Sequence, residues 1–289
     1  MEQFKGIFTA LLTPFNKNDK VNEKELEKLV KFNLKMGVKG FYVGGSTAEA
    51  FLLSKEERKV VMEVVKSTAE DATLIAHVGC ISEKDACTLG DYAKKLGYDA
   101  ISSVAPFYYK FSFEEIKNYY NAIATKSEMP MLVYHFPAFS GVNMGVREIS
   151  EFLNDDKFIG IKFTSNDFFT MERVKRAFAD KIVYNGYDEM FLSGLSMGAD
   201  GGIGSTYNFM ADKFVKIKNL FEQNKIQEAK ELQNKVNDII SVLCKVGVMQ
   251  AEKEVLNQLG FDFGICRKPF REISKEEKKL IADKIVSVL

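Results

Sequence analysis

The stretch DDKFIGIKFTSND, residues 155–167, contains a short apolar run with one lysine inside it. Residues 158–164 have the length and composition of a buried strand. Because successive side chains of a strand point to opposite faces, the alternation predicts two sets of neighbours. These are Ile159, Ile161 and Phe163 on one face, and Phe158, Gly160 and Lys162 on the other. Neither face is otherwise polar, so Lys162 is predicted to lie in an apolar environment.

Seven further apolar segments rich in β-forming residues occur in the first three quarters of the chain, separated by amphipathic stretches of helical period. The eight segments span residues 6–13, 38–45, 72–79, 98–106, 130–136, 158–164, 181–186 and 198–205. Eight strand–helix units in about 220 residues predict an α/β fold of the (β/α)8 TIM-barrel type. An open doubly wound sheet is the alternative, but no G-x-G-x-x-G turn follows the first segment.

The last part of the chain has only helical periodicity. From about residue 224 three amphipathic stretches follow one another, and CRKPF (266–270) separates the second from the third. We therefore predict a catalytic barrel over residues 1–223 and a C-terminal helical domain over residues 224–289.

The composition excludes several classes of function. Forty basic side chains balance forty acidic ones, which gives no electrostatic reason to expect nucleic acid or a membrane surface as partner. The four cysteines have no metal-binding spacing and are expected to be reduced thiols in a cytoplasmic protein. The N-terminus has the pattern neither of a signal peptide nor of a membrane span. No metal site is predicted.

Residues that packing does not explain collect where the barrel strands end, which is where TIM barrels carry their chemistry. GGSTAE (44–49) follows the second strand, and Ser46 and Thr47 offer hydroxyls and amides to a small anion. A tight turn with a hydroxyl cap is the alternative. Tyr134 ends the fifth strand. Lys162 ends the sixth strand, where burial would lower its pKa and make it a nucleophile for ketones. The alternative is that Lys162 reaches solvent and pairs with a carboxylate.

The seventh and eighth strands are followed by further polar residues. Asp188 and Glu189 could complement a helix dipole, bind sugar hydroxyls or hold a metal. Ser205 lies where many barrels bind phosphate, so a phosphosugar isomerase or epimerase is a competing hypothesis. His77 is expected to be a hydrogen-bonded core histidine, and His135 to have a structural or supporting role.

Four motifs, in this order and spacing, resemble the dihydrodipicolinate synthase and N-acetylneuraminate lyase superfamily over essentially the whole chain. They are YVGGSTAE (42–49), the tyrosine of YHFP (134–137), GIKFTSND (160–167) and YNGYDEM (184–190). The resemblance implies a Schiff-base aldolase that uses pyruvate. It favours the lyases over the synthases, because Phe139 stands where the synthases carry a carboxylate-binding arginine. Ala48 departs from the glycine usual in the lyases and fits if its φ is negative.

The resemblance also implies a role for each site residue. Lys162 would form the imine, Tyr134 would shuttle the proton, and Ser46 and Thr47 would bind the substrate carboxylate. Tyr108 is the best match to a tyrosine that reaches the proton relay from a neighbouring subunit. The residues that would hold the hydroxylated tail of the substrate are Thr164, Gly186, Asp188, Glu189 and Ser205.

The implied substrates are a sialic acid, pyruvate and N-acetylmannosamine, with no cofactor and a homotetramer as the assembly. Another pyruvate-dependent aldolase or synthase of the superfamily is the close alternative, acting on a 2-keto-3-deoxy sugar acid or resembling dihydrodipicolinate synthase. A non-catalytic barrel that senses sialic acid or pyruvate is a further alternative.

Overall fold

Eight parallel strands form a closed barrel in a computed structural model that describes all 289 residues. Each strand pairs with its neighbours in the sequence, and the eighth returns to pair with the first. The strands are β1 (Gly6–Ala10), β2 (Gly40–Val43), β3 (Thr73–His77), β4 (Ala100–Val104), β5 (Met131–His135), β6 (Phe158–Phe163), β7 (Ile182–Asn185) and β8 (Gly201–Gly204). The predicted TIM barrel is confirmed.

Helices surround the barrel and then continue beyond it. They are α1 (Glu23–Lys35), α2 (Lys55–Thr68), α3 (Glu83–Leu96), α4 (Phe113–Ser127), α5 (Pro137–Ser140), α6 (Val146–Leu153), α7 (Phe168–Ala177), α8 (Phe191–Ser196), α9 (Tyr207–Glu222), α10 (Ile226–Val246), α11 (Val248–Gln258) and α12 (Lys275–Lys284). The C-terminal helical extension is confirmed, and residue 224 falls in the connection between α9 and α10. That the two parts are separate domains stays a prediction. None of these helices combines the length and the apolar composition that a membrane span requires.

The apolar core has two layers. The larger cluster contains 64 buried residues, against 13 in the cluster inside the barrel, so most apolar burial lies between the strands and the helices. Inside the barrel, aromatic rings fill much of the space; the ring centroids of Phe8 and Tyr184, for example, are 5.3 Å apart. Glycines let the barrel close between β8 and β1, because a Cβ atom on Gly201 would lie 1.9 Å from the carbonyl oxygen of Gly6.

The predicted face assignment of β6 is wrong at the start of the strand. Phe158 packs in the outer cluster against Phe152 of α6, with ring centroids 5.4 Å apart, whereas Ile159 contacts the inner cluster. The pairing of β5 with β6 shifts register between Met131 and Leu132, which leaves one extra residue in β6 and reverses the alternation locally. Beyond this irregularity the alternation holds, and Lys162 points into the barrel.

A buried ion pair ties the C-terminal helices to the loop after β2. Lys253 of α11 places its Nζ 2.5 Å from Oε1 of Glu49, and the two side chains are 1% and 0% exposed. The other carboxylate oxygen accepts a hydrogen bond of 2.7 Å from the amide of Arg267. The Lys253 ammonium also lies 4.1 Å from the ring centroid of Phe15. This ion pair therefore attaches the loop after β2, which carries Ser46, to α11.

We expect Lys253→Met to lower the free energy of unfolding by about 3–5 kcal/mol, because it leaves the buried Glu49 carboxylate without its cation. Urea denaturation at pH 7 measures the change. The double variant Lys253→Met/Glu49→Gln is the control, and it should recover most of the loss because no buried charge remains. Equal losses in the single and double variants would show that the unpaired charge is not the cause.

Candidate active site

Lys162 and Tyr134 lie side by side on neighbouring strands. The two residues are direct partners in the pairing of β5 with β6, so both side chains point into the barrel near its C-terminal end. Lys162 Nζ lies 4.2 Å from the ring centroid of Tyr134 and 4.5 Å from that of Tyr42. Lys162 is 5% exposed and Tyr134 is 3% exposed. The amine is therefore held between two aromatic rings with little access to bulk water.

Burial lowers the pKa of Lys162 to about 7, and the negative charge of Asp188 only partly opposes this shift. No carboxylate forms an ion pair with Lys162. The alternative of a lysine that reaches solvent and pairs with an acid does not fit a side chain that is both buried and unpaired. A substantial fraction of this amine is neutral near pH 7, which is the form that attacks a carbonyl carbon.

The phenol of Tyr134 keeps its proton at neutral pH. Burial raises the pKa of Tyr134 well above its usual value. Such a group can donate a hydrogen bond or pass a proton on, but it is a poor base by itself. Any base function therefore requires a partner that takes the proton further.

The loop after β2 turns at the mouth of the barrel. Ser46–Ala48 forms a single 3-10 turn, and the amides of Ser46 and Thr47 at its start have no backbone acceptor. The left-handed position belongs to Glu49, with φ 58°, and Ala48 is not among the residues with positive φ. Ala48 therefore meets the condition of a negative φ, and its methyl group is accommodated without backbone strain.

Thr164 and Gly186 approach each other across the ends of β6 and β7. A Cβ atom on Gly186 would lie 1.9 Å from Oγ1 of Thr164, so only glycine permits this contact. The Thr164 hydroxyl is buried and has no hydrogen-bond partner. Buried polar groups in folded proteins are rarely left unpaired, which indicates that a bound molecule can complete this one.

Asp188 is buried at the bottom of the turn after β7. Its Oδ2 accepts hydrogen bonds from the amide of Thr206 at 2.9 Å and from the Thr206 hydroxyl at 2.7 Å, whereas its buried Oδ1 has no partner. Burial raises the pKa of Asp188 to about 6. Gln233 of α10 donates to the Asp188 carbonyl oxygen at 3.1 Å. The C-terminal extension thus positions a residue of the barrel rim.

These side chains line one cavity of about 240 Å³. Nine of the ten site residues predicted from the sequence contribute to it: Ser46, Thr47, Tyr134, Lys162, Thr164, Gly186, Asp188, Glu189 and Ser205. Glu189 is exposed at the rim, and Oγ of Ser205 is hydrogen-bonded to Oε1 of Glu252 at 2.6 Å. No group of three or more His, Cys, Asp or Glu side chains is arranged to bind a metal ion.

Tyr108 is the predicted site residue that does not line the cavity. Its side chain is 84% exposed, its φ is +79°, and its ring packs edge-on against Tyr109. The prediction placed it in the relay of a neighbouring subunit, and an exposed tyrosine is compatible with that role. The role stays a prediction.

The two histidines lie outside the cavity lining. His77 is fully buried, with Nδ1 2.9 Å from the carbonyl oxygen of Gly44 and Nε2 accepting from the amide of Val104. It is the core histidine that the sequence predicts. His135 is also buried, packs on the ring of Phe163, and has a pKa lowered by burial to about 4.

Sequence reasoning missed the wall that the C-terminal helices add to the cavity. The same cavity that Lys162 lines is also lined by Ile240 and Cys244 of α10 and by Val248 and Met249 at the start of α11. Nothing in their local pattern distinguishes them from ordinary amphipathic positions. Phe139, which the sequence analysis did single out, stands at the mouth, 71% exposed and stacked on Phe136 with centroids 4.3 Å apart.

The chain is similar to known proteins over nearly its whole length. The model of the dihydrodipicolinate synthetase family matches residues 3–287. The N-acetylneuraminate lyase of Fusobacterium nucleatum is 44% identical over 275 residues, which cover 94% of this chain and 95% of that protein.

Two solved structures superpose closely. A Clostridium difficile protein in complex with mannosamine has a TM-score of 0.96 and 40% identity, with 99% of each chain covered. The Fusobacterium nucleatum N-acetylneuraminate lyase complexed with pyruvate has a TM-score of 0.93 and 42% identity, with 98% of each chain covered. Both the fold and the length of the chain are shared with these proteins.

Proposed function

The chain belongs to the dihydrodipicolinate synthetase family, and we propose that it is a lyase that cleaves N-acetylneuraminate to N-acetyl-D-mannosamine and pyruvate. Its similarity to N-acetylneuraminate lyases extends over nearly the whole chain, at an identity of 40–44% for the relatives compared above. The observation that carries the mechanism is the buried, unpaired amine of Lys162 beside the phenol of Tyr134 in a cavity at the C-terminal end of the barrel.

The reaction begins with the neutral amine. Lys162 Nζ attacks the C2 ketone of the open-chain sugar acid, and loss of water gives a protonated imine. The C3–C4 bond then breaks: its electron pair moves toward the iminium nitrogen to give an enamine, and the C4 hydroxyl loses its proton to become the aldehyde of N-acetyl-D-mannosamine. A proton returns to C3, and water hydrolyses the imine to release pyruvate and the free lysine. The imine supplies the electron sink, so the proposed mechanism uses no cofactor.

Tyr134 is proposed to move the proton. Because its pKa is raised, the phenol cannot remove the C4 proton and keep it, so it acts as a relay between the C4 hydroxyl, the substrate carboxylate and C3. Ser46 and Thr47 would bind that carboxylate through hydroxyl and amide groups at the opening of the 3-10 turn. The site therefore needs no arginine.

The hydroxylated tail would occupy the side of the cavity formed by the loops after β6, β7 and β8. Two buried groups there, Oγ1 of Thr164 and Oδ1 of Asp188, have no partner and fit hydroxyl groups of a ligand. Gly186, Glu189 and Ser205 complete this side. A site that demands these hydrogen bonds discriminates strongly against substrates that lack them.

The synthase alternative has little support, because Phe139 at the mouth cannot bind a carboxylate. Another aldolase of the family would retain Lys162 and Tyr134, so the substrate must be tested directly. We expect the protein to release pyruvate and N-acetyl-D-mannosamine in equal amounts from N-acetylneuraminate, and to act much more slowly on a 2-keto-3-deoxy sugar acid without the N-acetyl group. The opposite preference would assign the chain to another branch of the family.

The oligomeric state of the protein and its location in the cell are proposed from its resemblance to the family. We propose a homotetramer in which Tyr108 of one subunit reaches the relay of the next, and a cytoplasmic enzyme. The exposure of Tyr108 supports its availability for such a contact. Light scattering of the purified protein measures the assembly: a mass of four chains supports the proposal, and a monomer with full activity contradicts it.

A further inference from the structure

A buried carboxyl group lies directly behind the cavity wall. Glu252 of α11 has no solvent exposure, and its Oε1 is hydrogen-bonded to Oγ of Ser205 at 2.6 Å; the carboxylate form of Glu252 is the acceptor in this contact. Its Oε2 is buried and has no hydrogen-bond partner. Ser205 follows β8 and lines the cavity with Lys162. Glu252, 47 positions later in the sequence, thus contacts Ser205, whose side chain lines the cavity.

No cation compensates this carboxyl group. Burial raises the pKa of Glu252 to about 8, the negative charge of Asp188 raises it too, and the hydrogen bond from Ser205 opposes the rise. The other titratable groups that interact with it are the thiols of Cys244 on α10 and Cys266 after α11. The adjacent Lys253 is paired with Glu49 instead. At neutral pH the group is therefore mostly a neutral acid.

The protonation state of this acid decides which atoms Ser205 can offer to a ligand. A neutral carboxyl group carries an O–H that can donate to Oγ of Ser205, which leaves the serine proton free to point into the cavity. A carboxylate can only accept, so the serine must donate its proton to it and presents lone pairs alone. The same hydroxyl is a donor toward the ligand in the first state and only an acceptor in the second.

We propose that Glu252 is a positioning residue that fixes the direction in which the Ser205 hydroxyl hydrogen-bonds to the hydroxylated part of the substrate. The proposal rests on the proposed function, since it assumes that this side of the cavity binds a polyhydroxylated substrate. Glu252 acts only through Ser205 and does not touch the reacting atoms. Three observations support this role: Glu252 is buried, it contacts Oγ of Ser205 at 2.6 Å, and its Oε2 has no hydrogen-bond partner.

Two variants of nearly the same size test the role. Glu252→Leu removes the partner of Ser205, so we expect the KM for N-acetylneuraminate to rise about threefold to tenfold, the loss typical of one hydrogen bond, with kcat changed less than twofold. Glu252→Gln keeps both a donor and an acceptor but cannot ionise, so at pH 7 its KM should change less than that of the leucine variant. Borohydride trapping with pyruvate shows whether each variant is folded.

The pH dependence separates positioning from packing. We expect the ratio of the wild-type KM to the Glu252→Gln KM to rise at least threefold between pH 7 and pH 9, as the wild-type acid ionises and Ser205 loses its donor role. The ratio cancels the titration of Lys162, which both proteins share. A merely structural role would lower the melting temperature of the variants without changing this ratio.

The outcomes are distinguishable. A wild-type protein that cleaves N-acetylneuraminate, with a flat KM ratio from pH 7 to 9, overturns the role of Glu252 and leaves the proposed function intact. A wild-type protein that traps pyruvate but does not cleave N-acetylneuraminate overturns both. If Glu252→Leu does not fold, the ratio measured with Glu252→Gln decides alone.

Discussion

Lys162→Ala is expected to lower kcat for cleavage of N-acetylneuraminate by on the order of 10⁴-fold or more, because the covalent electron sink disappears with the amine. Pyruvate release in a coupled assay measures the loss. Alanine leaves the neighbouring rings of Tyr134 and Tyr42 in place, so the substrate should still bind, which calorimetry can detect. Cleavage that survived at a tenth of the wild-type rate would contradict the assignment of Lys162 as nucleophile.

A matched control lies five residues earlier in the chain. Lys157 has a side chain that is 42% exposed and that pairs with Asp155 at 3.2 Å. Lys157→Ala should leave kcat and KM within about twofold of the wild type, because exposed ion pairs contribute little. The comparison shows that the effect belongs to the buried lysine and not to the loss of any positive charge near β6.

The wild-type pH profile provides a second test of the same residue. The pKa of Lys162 is lowered to about 7, and only the neutral amine attacks the ketone. We therefore expect kcat/KM to rise with pH through about 7, since the neutral fraction of the amine grows as pH passes the pKa. Above this rise kcat/KM should level off in the Glu252→Gln variant, whereas in the wild type the ionisation of Glu252 should lower it again by about pH 9. A rise that began only near pH 10 would show a lysine with its ordinary pKa.

Tyr134→Phe is expected to lower kcat by about 10²- to 10⁴-fold, the contribution typical of a positioned proton-transfer group. The ring remains, so the packing beside Lys162 and the binding of substrate should change much less. Steady-state kinetics give kcat, and borohydride trapping with pyruvate gives the extent of imine formation, which should persist. A variant that turned over normally would remove Tyr134 from the proton relay.

Tyr42→Phe is the matched control for this substitution. Tyr42 is buried at nearly the same distance from the Lys162 amine, but its hydroxyl is hydrogen-bonded to Ser102 at 3.0 Å and does not line the cavity. Its loss should change kcat by less than about fivefold. Equal losses in the two variants would indicate that both phenols act through the environment of the amine and not through proton transfer.

The fold was predictable because it depends on a pattern repeated eight times. Each strand segment is short and apolar, and the segment after it shows helical periodicity. An error in the bounds of one strand–helix unit therefore does not change the predicted number of units. The face assignment failed only at Phe158 and Ile159, where the pairing with Met131 shifts register. Such a shift depends on the neighbouring strand, about 27 residues away, and has no signature within residues 158–164.

The site was predictable to the extent that its residues stand at strand ends. Parallel strands in a barrel bring their C-terminal ends together, so Tyr134 and Lys162 meet whatever lies between them in the chain. Met249 and Glu252 approach the same cavity from α11, and their position depends on how that helix packs over the barrel. No local pattern marks a helical residue for such a contact, since an amphipathic helix shows which face is buried and not what covers it.

The central claim is that Lys162 forms a covalent imine with pyruvate, and borohydride trapping tests it most directly. The wild-type protein is incubated with pyruvate at pH 7 to 8, reduced with borohydride, digested and mapped by mass spectrometry. The account predicts one stable adduct, on the peptide that contains Lys162, which is absent when pyruvate is omitted or Lys162 is replaced by alanine. A folded protein that gives no adduct, or an adduct on another lysine, would contradict it.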